Sequence, residues 1–202
     1  VILLPIIFFC LECFMPNRPA SLFSAGPLAL IGLIAAVALT RLIPHPPNFS
    51  PVEAMALFGG AYLAKRSWAV LVPLIALFIS DLALGLLMGG EYFQYFVSAG
   101  FLLVYLTIAV LSVLGFGLRG KVSVARVAGY GVAGSILFFL TTNFGVWLGS
   151  AFYPQTASGL MAAYAAGVPF LQNGILGTLF YSVLLFGTYE LLKQRIPALA
   201  QG

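Results

Sequence analysis

Few side chains in this 202-residue sequence could do chemistry, and most of them lie within or beside long apolar runs. Ionisable and amide groups in such runs are costly to bury, and they are usually paired or line a cavity. Two carboxylates, three amides and two aromatic side chains could together bind a small polar solute: Glu53, Asp81, Asn48, Asn143, Asn173, Trp147 and Tyr164. We therefore predict a substrate-binding site built from these residues.

Several of these residues also have a structural interpretation. Asp81 could form an ion pair that fixes helix packing, with Arg41 as the nearest cation. Asn143 could hydrogen-bond a neighbouring helix, and Glu53 could stabilise a helix start through the helix dipole. Tyrosines near the ends of apolar segments are typical of the aromatic belt at a membrane surface. The sequence leaves both interpretations open.

Enzyme chemistry and nucleic-acid binding have little support. His45 is the single histidine, so a metal triad is excluded and a Ser-His-Asp set is possible only around that residue. The sequence holds neither a Walker phosphate-binding loop nor a His-Glu-x-x-His motif. No basic cluster is longer than Lys65-Arg66, which excludes a phosphate-binding stripe. We predict no enzyme activity, cofactor or metal; a membrane enzyme using Asp81, Glu53 and His45 is the weaker alternative.

The composition indicates where these side chains are held. Hydrophobic residues make up 62% of the chain and charged residues only 7%, whereas roughly a quarter of a soluble domain is charged. A soluble fold of this composition would expose large apolar patches. The apolar runs are continuous rather than alternating, which disfavours a β-barrel. The sequence therefore predicts an all-α, multi-pass membrane protein.

Six apolar runs predict a six-helix transmembrane bundle, with spans near residues 27–42, 51–64, 68–88, 93–114, 127–149 and 174–192. Residues 159–170 are expected to form a short helix or a re-entrant piece. The 51–64 run follows Ser50-Pro51, a helix-start signal, but it is short for a span. It crosses only with help from tilted partners or bilayer thinning, or if the preceding loop dips into the protein.

Charge predicts the orientation of the bundle. If the 51–64 run crosses, eight of the nine basic residues fall on one side and Arg41 alone on the other. Basic residues favour the cytoplasmic side, so both termini are predicted to be cytoplasmic. Most of the candidate polar residues then lie in the outer half or at the outer helix ends. One cavity that opens to the outside would explain this placement.

The sequence predicts one domain, residues 25–195, between an apolar segment of doubtful status at 1–24 and a short tail at 196–202. Met15 is the plausible true start, which would remove Cys10 and Cys13; otherwise we expect both to pack as apolar side chains. Small residues recur on the first span at Ala25, Ala29, Gly32 and Ala36. Such faces let helices approach closely, either within this protein or against a partner helix.

Three segments carry a resemblance to a known family: residues 41–62 (RLIPHPPNFSPVEAMALFGGAY), 80–85 (SDLALG) and 142–147 (TNFGVW). With them, residues 25–192 resemble an uncharacterised family of six-span bacterial membrane proteins. That family is in turn similar to the substrate-binding S components of energy-coupling factor transporters. The latter similarity rests on span count, size, orientation and weaker patterns.

The resemblance implies a subunit of the bacterial cytoplasmic membrane that captures a vitamin-like solute from outside. Transport would then require a transmembrane coupling subunit and two cytoplasmic ATPases. The loop at residues 44–51 would close over the substrate, and the Ala25/Ala29 or Gly32/Ala36 face would meet the coupling subunit. These two small-residue motifs compete for that role, and no set of residues diagnostic of one substrate is present. The alternative function is an accessory or structural membrane subunit of a larger complex, without a transport role.

Overall fold

The structure is a computed structural model that describes residues 24–96, 98–149, 151–196 and 199. The predictions for Met15, Cys10 and Cys13 lie outside these residues. In the described part the chain is helical throughout, with helices joined by short turns and one longer loop. The helices are α1 Ala25–Leu39, α2 Val52–Tyr62, α3 Arg66–Met88, α4 Gly90–Phe96, α5 Ala99–Leu114, α6 Val124–Gly149, α7 Ala157–Ser182 and α8 Thr188–Arg195.

Five helical segments are long and apolar enough to cross a membrane, which makes this a multi-pass membrane protein. They are α1, α3, α5 and α6, together with the continuous helix that runs from α7 to α8. The spans that begin with α1 and α5 each continue through a following 3₁₀ turn, Thr40–Leu42 and Gly115–Leu118. The all-helical fold was therefore predicted correctly. Of the six predicted spans, the 51–64 segment is not among these five.

The short helix α2 lies at the centre of the bundle instead. Its 11 residues rise only about 16 Å, half of a hydrocarbon core. Every residue from Val52 to Ala61 is buried, and α2 contacts α1, α3, α5, α6 and α7. A helix that is apolar or small on all sides is stable only when it is surrounded in this way. The helix begins at Val52, one residue later than the Ser50-Pro51 signal predicts.

The two ends of the bundle differ in charge. We call the end that holds Tyr62, Arg119 and Lys193 the closed end, and the end that holds Met88 and Gly149 the open end. The closed end collects the basic residues of the turns and of α8: Lys65, Arg66, Arg119, Lys121, Arg126, Lys193 and Arg195. Arg41 is the remaining described cation, and it lies beside α3 at Asp81.

The last apolar part of the chain is one helix rather than two. Helix α7 continues through a π-helical turn, Val183–Gly187, into α8, so residues Ala157–Arg195 form 39 helical residues, about 58 Å long. The prediction of a separate short or re-entrant piece at 159–170 is wrong. Pro169 lies inside α7 without ending it, since neighbouring helices and local adjustments can satisfy the freed backbone groups in membrane helices.

The loop at residues 43–51 dips into the bundle, which was one of the conditions expected to help the 51–64 run cross. Asn173 Nδ2 donates to the Pro47 carbonyl over 3.0 Å, and a side chain on Gly177 would lie 2.8 Å from the Ser50 nitrogen. The Phe49 ring packs 5.7 Å from that of Phe180. These contacts lie about 24–35 Å along α7 from its start. Helix α2 therefore starts at mid-depth and needs only half a crossing to reach the closed end.

Arg119 holds the closed end of α2. Its guanidinium donates to the carbonyls of Gly60 (2.8 Å), Leu63 (2.7 Å) and Ala64 (3.3 Å), and it lies over the Phe116 ring. The last carbonyls of a helix have no partners within the helix, so these bonds satisfy groups that would otherwise be orphaned.

Replacing Arg119 with methionine is expected to lower the free energy of unfolding by about 2–3 kcal/mol, because carbonyls beside buried helix α2 lose charged donors. Reversible unfolding in mixed detergent micelles, followed by circular dichroism, measures this loss. Lys121→Met, at an exposed position of the same end, is the matched control. Equal stability of the two variants would contradict the capping role.

Candidate functional site

A cavity of about 910 Å³ lies between the loop at 43–51 and helices α3, α6 and α7, toward the open end. Its size falls within the range of small-molecule sites in proteins. The polar side chains that line it come from seven separate parts of the fold, and they are Arg41, His45, Asn48, Ser50, Glu53, Asp81, Tyr92, Thr142, Asn143 and Tyr153. Most of the remaining wall is aliphatic or aromatic. This combination of an apolar wall and a few convergent polar groups is typical of ligand sites.

One side of the cavity is a hydrogen-bonded ion pair. Arg41 Nη2 lies 2.6 Å from Asp81 Oδ1, and Asp81 also accepts from the hydroxyls of Tyr92 (3.0 Å) and Tyr105 (2.7 Å). The second guanidinium nitrogen of Arg41 donates to Ser80 Oγ over 2.5 Å. The structural interpretation of Asp81 as an ion-pair partner of Arg41 is therefore confirmed. The pair still lines the cavity, so Asp81 both orients Arg41 and forms part of the wall.

Tyr92 closes this side of the cavity from the short helix α4. Burial and, after it, the charge of the Asp81 carboxylate raise the pKa of the Tyr92 hydroxyl to about 12. The hydroxyl is therefore protonated at neutral pH and donates to Asp81. Tyr92 is not among the site residues predicted from the sequence.

Glu53 lies in the first turn of α2, and its side chain reaches the cavity although the residue is only 3% exposed. Within the described residues, no other side chain donates a hydrogen bond to its carboxyl group. A side chain on Gly174 would lie 3.8 Å from both Glu53 Oε1 and the Asn48 carbonyl oxygen, so Gly174 leaves room beside both acceptors. The helix dipole favours a negative charge at this position.

The loop that carries Asn48 is held in place by its backbone. Asn48 has a φ of 62°, in the left-handed region that asparagine tolerates better than most residues. This turn brings Asn48 and Ser50 into the wall of the cavity, close to Glu53 in the sequence. The loop thus delivers several polar groups to one wall.

Asn143 and Thr142 line the opposite wall from α6. Asn143 Nδ2 donates to the Phe139 carbonyl over 2.9 Å, and Thr142 Oγ1 donates to the Phe138 carbonyl over 2.8 Å. A side chain on Gly167 of α7 would collide with Asn143 Oδ1, so this glycine makes room for the amide. Asn143 is therefore anchored to its own helix while its side chain borders the cavity.

The profile of one protein family, described as a family of unknown function (DUF6580), matches residues 22–199, and so covers every helix and the whole cavity. The chain belongs to the DUF6580 family. No curated protein and no solved structure matches it. The predicted membership of an uncharacterised family is confirmed, since DUF6580 is a family of unknown function.

The DUF6580 chain brings together four of the seven predicted site residues in one cavity: Asn48, Glu53, Asp81 and Asn143. The other three, Trp147, Tyr164 and Asn173, are not among the lining residues. Trp147 Nε1 donates to the Pro154 carbonyl, because the turn after α6 offers an acceptor close to the end of the helix. Tyr164 donates to the Leu140 carbonyl between α6 and α7, and Asn173 anchors the 43–51 loop.

In the DUF6580 structure the predicted small-residue face of α1 points away from the other described helices. Ala25, Gly32 and Ala36 are exposed and Ala29 is half-buried, while Leu30 and Ile34 on the opposite face are buried. A side chain on Gly32 would contact nothing within 4 Å. The small residues of this face therefore do not serve close packing within the described part of the chain.

Proposed function

We propose that this chain binds a small, vitamin-like solute that enters the cavity from the open end. The observation that carries the proposal is the convergence of Arg41, Asp81 and Glu53 on one cavity, although charged side chains are costly inside a membrane protein. Helix packing alone does not require charged side chains in the wall of a cavity of about 910 Å³. Intramembrane ionisable groups of this kind commonly mark substrate pathways.

The distribution of basic residues supports an orientation for the proposed function. The seven basic residues at the closed end favour a cytoplasmic position for that end of the bundle. The cavity then faces the outside of a bacterial cytoplasmic membrane, and the C-terminus lies inside. Capture from outside, without a phosphate-binding loop in the sequence, fits the likeness to the S components of energy-coupling factor transporters. In that proposal a coupling subunit and two ATPases supply the energy.

A screen for solutes tests this function. The purified chain in detergent is mixed with vitamins and nucleobase-like compounds, and its thermal unfolding and heats of binding are measured. A ligand at a thousandfold excess over its Kd is expected to add about 4 kcal/mol to the free energy of unfolding. Asn143→Ala should weaken this stabilisation, whereas Gln194→Ala, exposed on α8, should preserve it. Absence of stabilisation by every compound would count against the function.

The exposed small-residue face of α1 favours a second candidate, an accessory subunit that holds a larger membrane complex together. Close helix–helix contacts in membranes form at such faces. Stable co-purification with a membrane partner other than ATPase-coupled subunits would favour this candidate. Gly32→Leu, on the face, should then release the partner, and Leu28→Ile, beside it, should not.

A further inference from the structure

The Glu53 carboxyl group is a buried acidic group of the cavity wall that forms no ion pair within the described residues. The residue is only 3% exposed, and burying a carboxylate without a partner is costly. It lies on the wall of the cavity rather than among packed apolar side chains. Its own backbone N–H donates to the carboxyl group, and a ligand that donates hydrogen bonds would supply the second partner that no described side chain provides.

Arg41, the nearest cation of the cavity wall, is already engaged. Its Nη2 atom contacts Asp81 at 2.6 Å, and its Nη1 atom donates to Ser80 Oγ and more weakly to the Leu77 carbonyl. The charges of Arg41 and Asp81 therefore offset each other. Among the lining residues this leaves the Glu53 carboxyl group without an ion-pair partner, with its own backbone N–H as a hydrogen-bond donor, and a positively charged occupant would supply that partner.

The chemistry of the wall favours an organic cation over a metal ion. In the described part of the chain, no three His, Cys, Asp or Glu side chains lie close enough to share a metal ion. The cavity is also far larger than an ion needs, at about 910 Å³. Much of its wall is apolar, including Leu84, Val104, Phe138, Val146 and Phe170. A carbon framework packed against these side chains would bury apolar surface.

We propose that Glu53 is the recognition group for a nitrogen cation, an amine, amidine or protonated heterocycle, whose apolar body packs against the α3, α5, α6 and α7 walls. A charged N–H donor and a carboxylate form stronger hydrogen bonds than neutral pairs, and more so in a site shielded from water. This inference rests on the proposed function, since it names the class of solute that the same cavity takes.

Three probes of nearly equal shape test the charge preference: benzamidine, which is a cation, benzamide, which is neutral, and benzoate, which is an anion. Calorimetry on the full chain in detergent, at millimolar probe concentrations, measures their affinities. Benzamidine should bind at least about tenfold more tightly than benzamide, and benzoate should show no saturable binding. Glu53→Gln should remove the advantage of benzamidine. Glu190→Gln, at the closed end away from the cavity, is the matched control and should preserve it.

The outcomes separate this inference from the proposed function. Equal or tighter binding of benzamide or benzoate would overturn the charge assignment, while capture of a solute would stand. A benzamidine preference that persists in Glu53→Gln would show that another group reads the charge. Failure of all three probes to bind would also overturn the inference, and the separate solute screen would decide whether the proposed function falls with it. The wild-type comparison needs no variant, so it remains decisive if Glu53→Gln fails to fold.

Discussion

Replacing Asp81 with alanine is expected to lower the free energy of unfolding by about 3–5 kcal/mol, because the buried Arg41 guanidinium loses its counter-ion. The side chain of Asp81 is only 4% exposed and that of Arg41 14%, so water replaces little of the lost interaction. The hydroxyls of Tyr92 and Tyr105 lose their acceptor in the same step. Reversible unfolding in mixed micelles, followed by circular dichroism, measures the loss.

The double variant Arg41→Met/Asp81→Leu distinguishes an ion pair from two independent contributions. Removal of both charges leaves neither Arg41 nor Asp81 without its counter-ion, and apolar replacements of this kind are often neutral in stability. The double variant is therefore expected to be more stable than Asp81→Ala alone. The free energy of unfolding lost in the double variant is compared with the losses in Arg41→Met and Asp81→Leu. If it equals their sum, Arg41 and Asp81 are not energetically coupled.

The helices were predictable where long apolar runs determine them. The run at 68–88 became α3 and the run at 127–149 became α6, each within three residues of its predicted bounds, because a membrane helix needs only length and hydrophobicity. The continuity of α7 across Pro169 was missed for a physical reason. A proline predicts a break in a soluble helix, and only the packing of α6 along α7 shows that the helix continues.

The depth of side chains along the helices predicted part of the site. Asp81 and Asn143 were expected at similar depths in the outer half, and both line the cavity. Helix periodicity alone could not decide whether Trp147, one turn after Asn143, lines the cavity. Its indole N–H donates instead to the Pro154 carbonyl, an acceptor that the turn after α6 brings close. The position of Ser50 in the cavity wall could likewise not be predicted from the sequence. It depends on the path of the 43–51 loop, in which Asn48 has a left-handed backbone conformation.

The close approach of α2 and α5 leads to the second large effect. Gly60 faces Gly115 so closely that a side chain on Gly60 would meet the Ser112 carbonyl oxygen and lie 2.9 Å from the Gly115 Cα atom. These are backbone atoms, which cannot turn aside as a flexible side chain could. Gly60→Ala therefore has to push α2 away from α5. Since Arg119 donates to the Gly60 carbonyl, the same displacement weakens the closed end of α2.

Gly60→Ala is expected to lower the free energy of unfolding by about 3 kcal/mol, at the upper end of the range for overpacked sites. Gly129→Ala is the matched control, because a side chain there would contact nothing within 4 Å. That variant should gain about 0.5–1 kcal/mol, as alanine is the better helix former. A loss of similar size in both variants would contradict the role of close packing between α2 and α5, because only Gly60 lies against another backbone. Because α2 also carries Glu53, Gly60→Ala should weaken solute binding in the cavity as well, whereas Gly129→Ala should leave it unchanged.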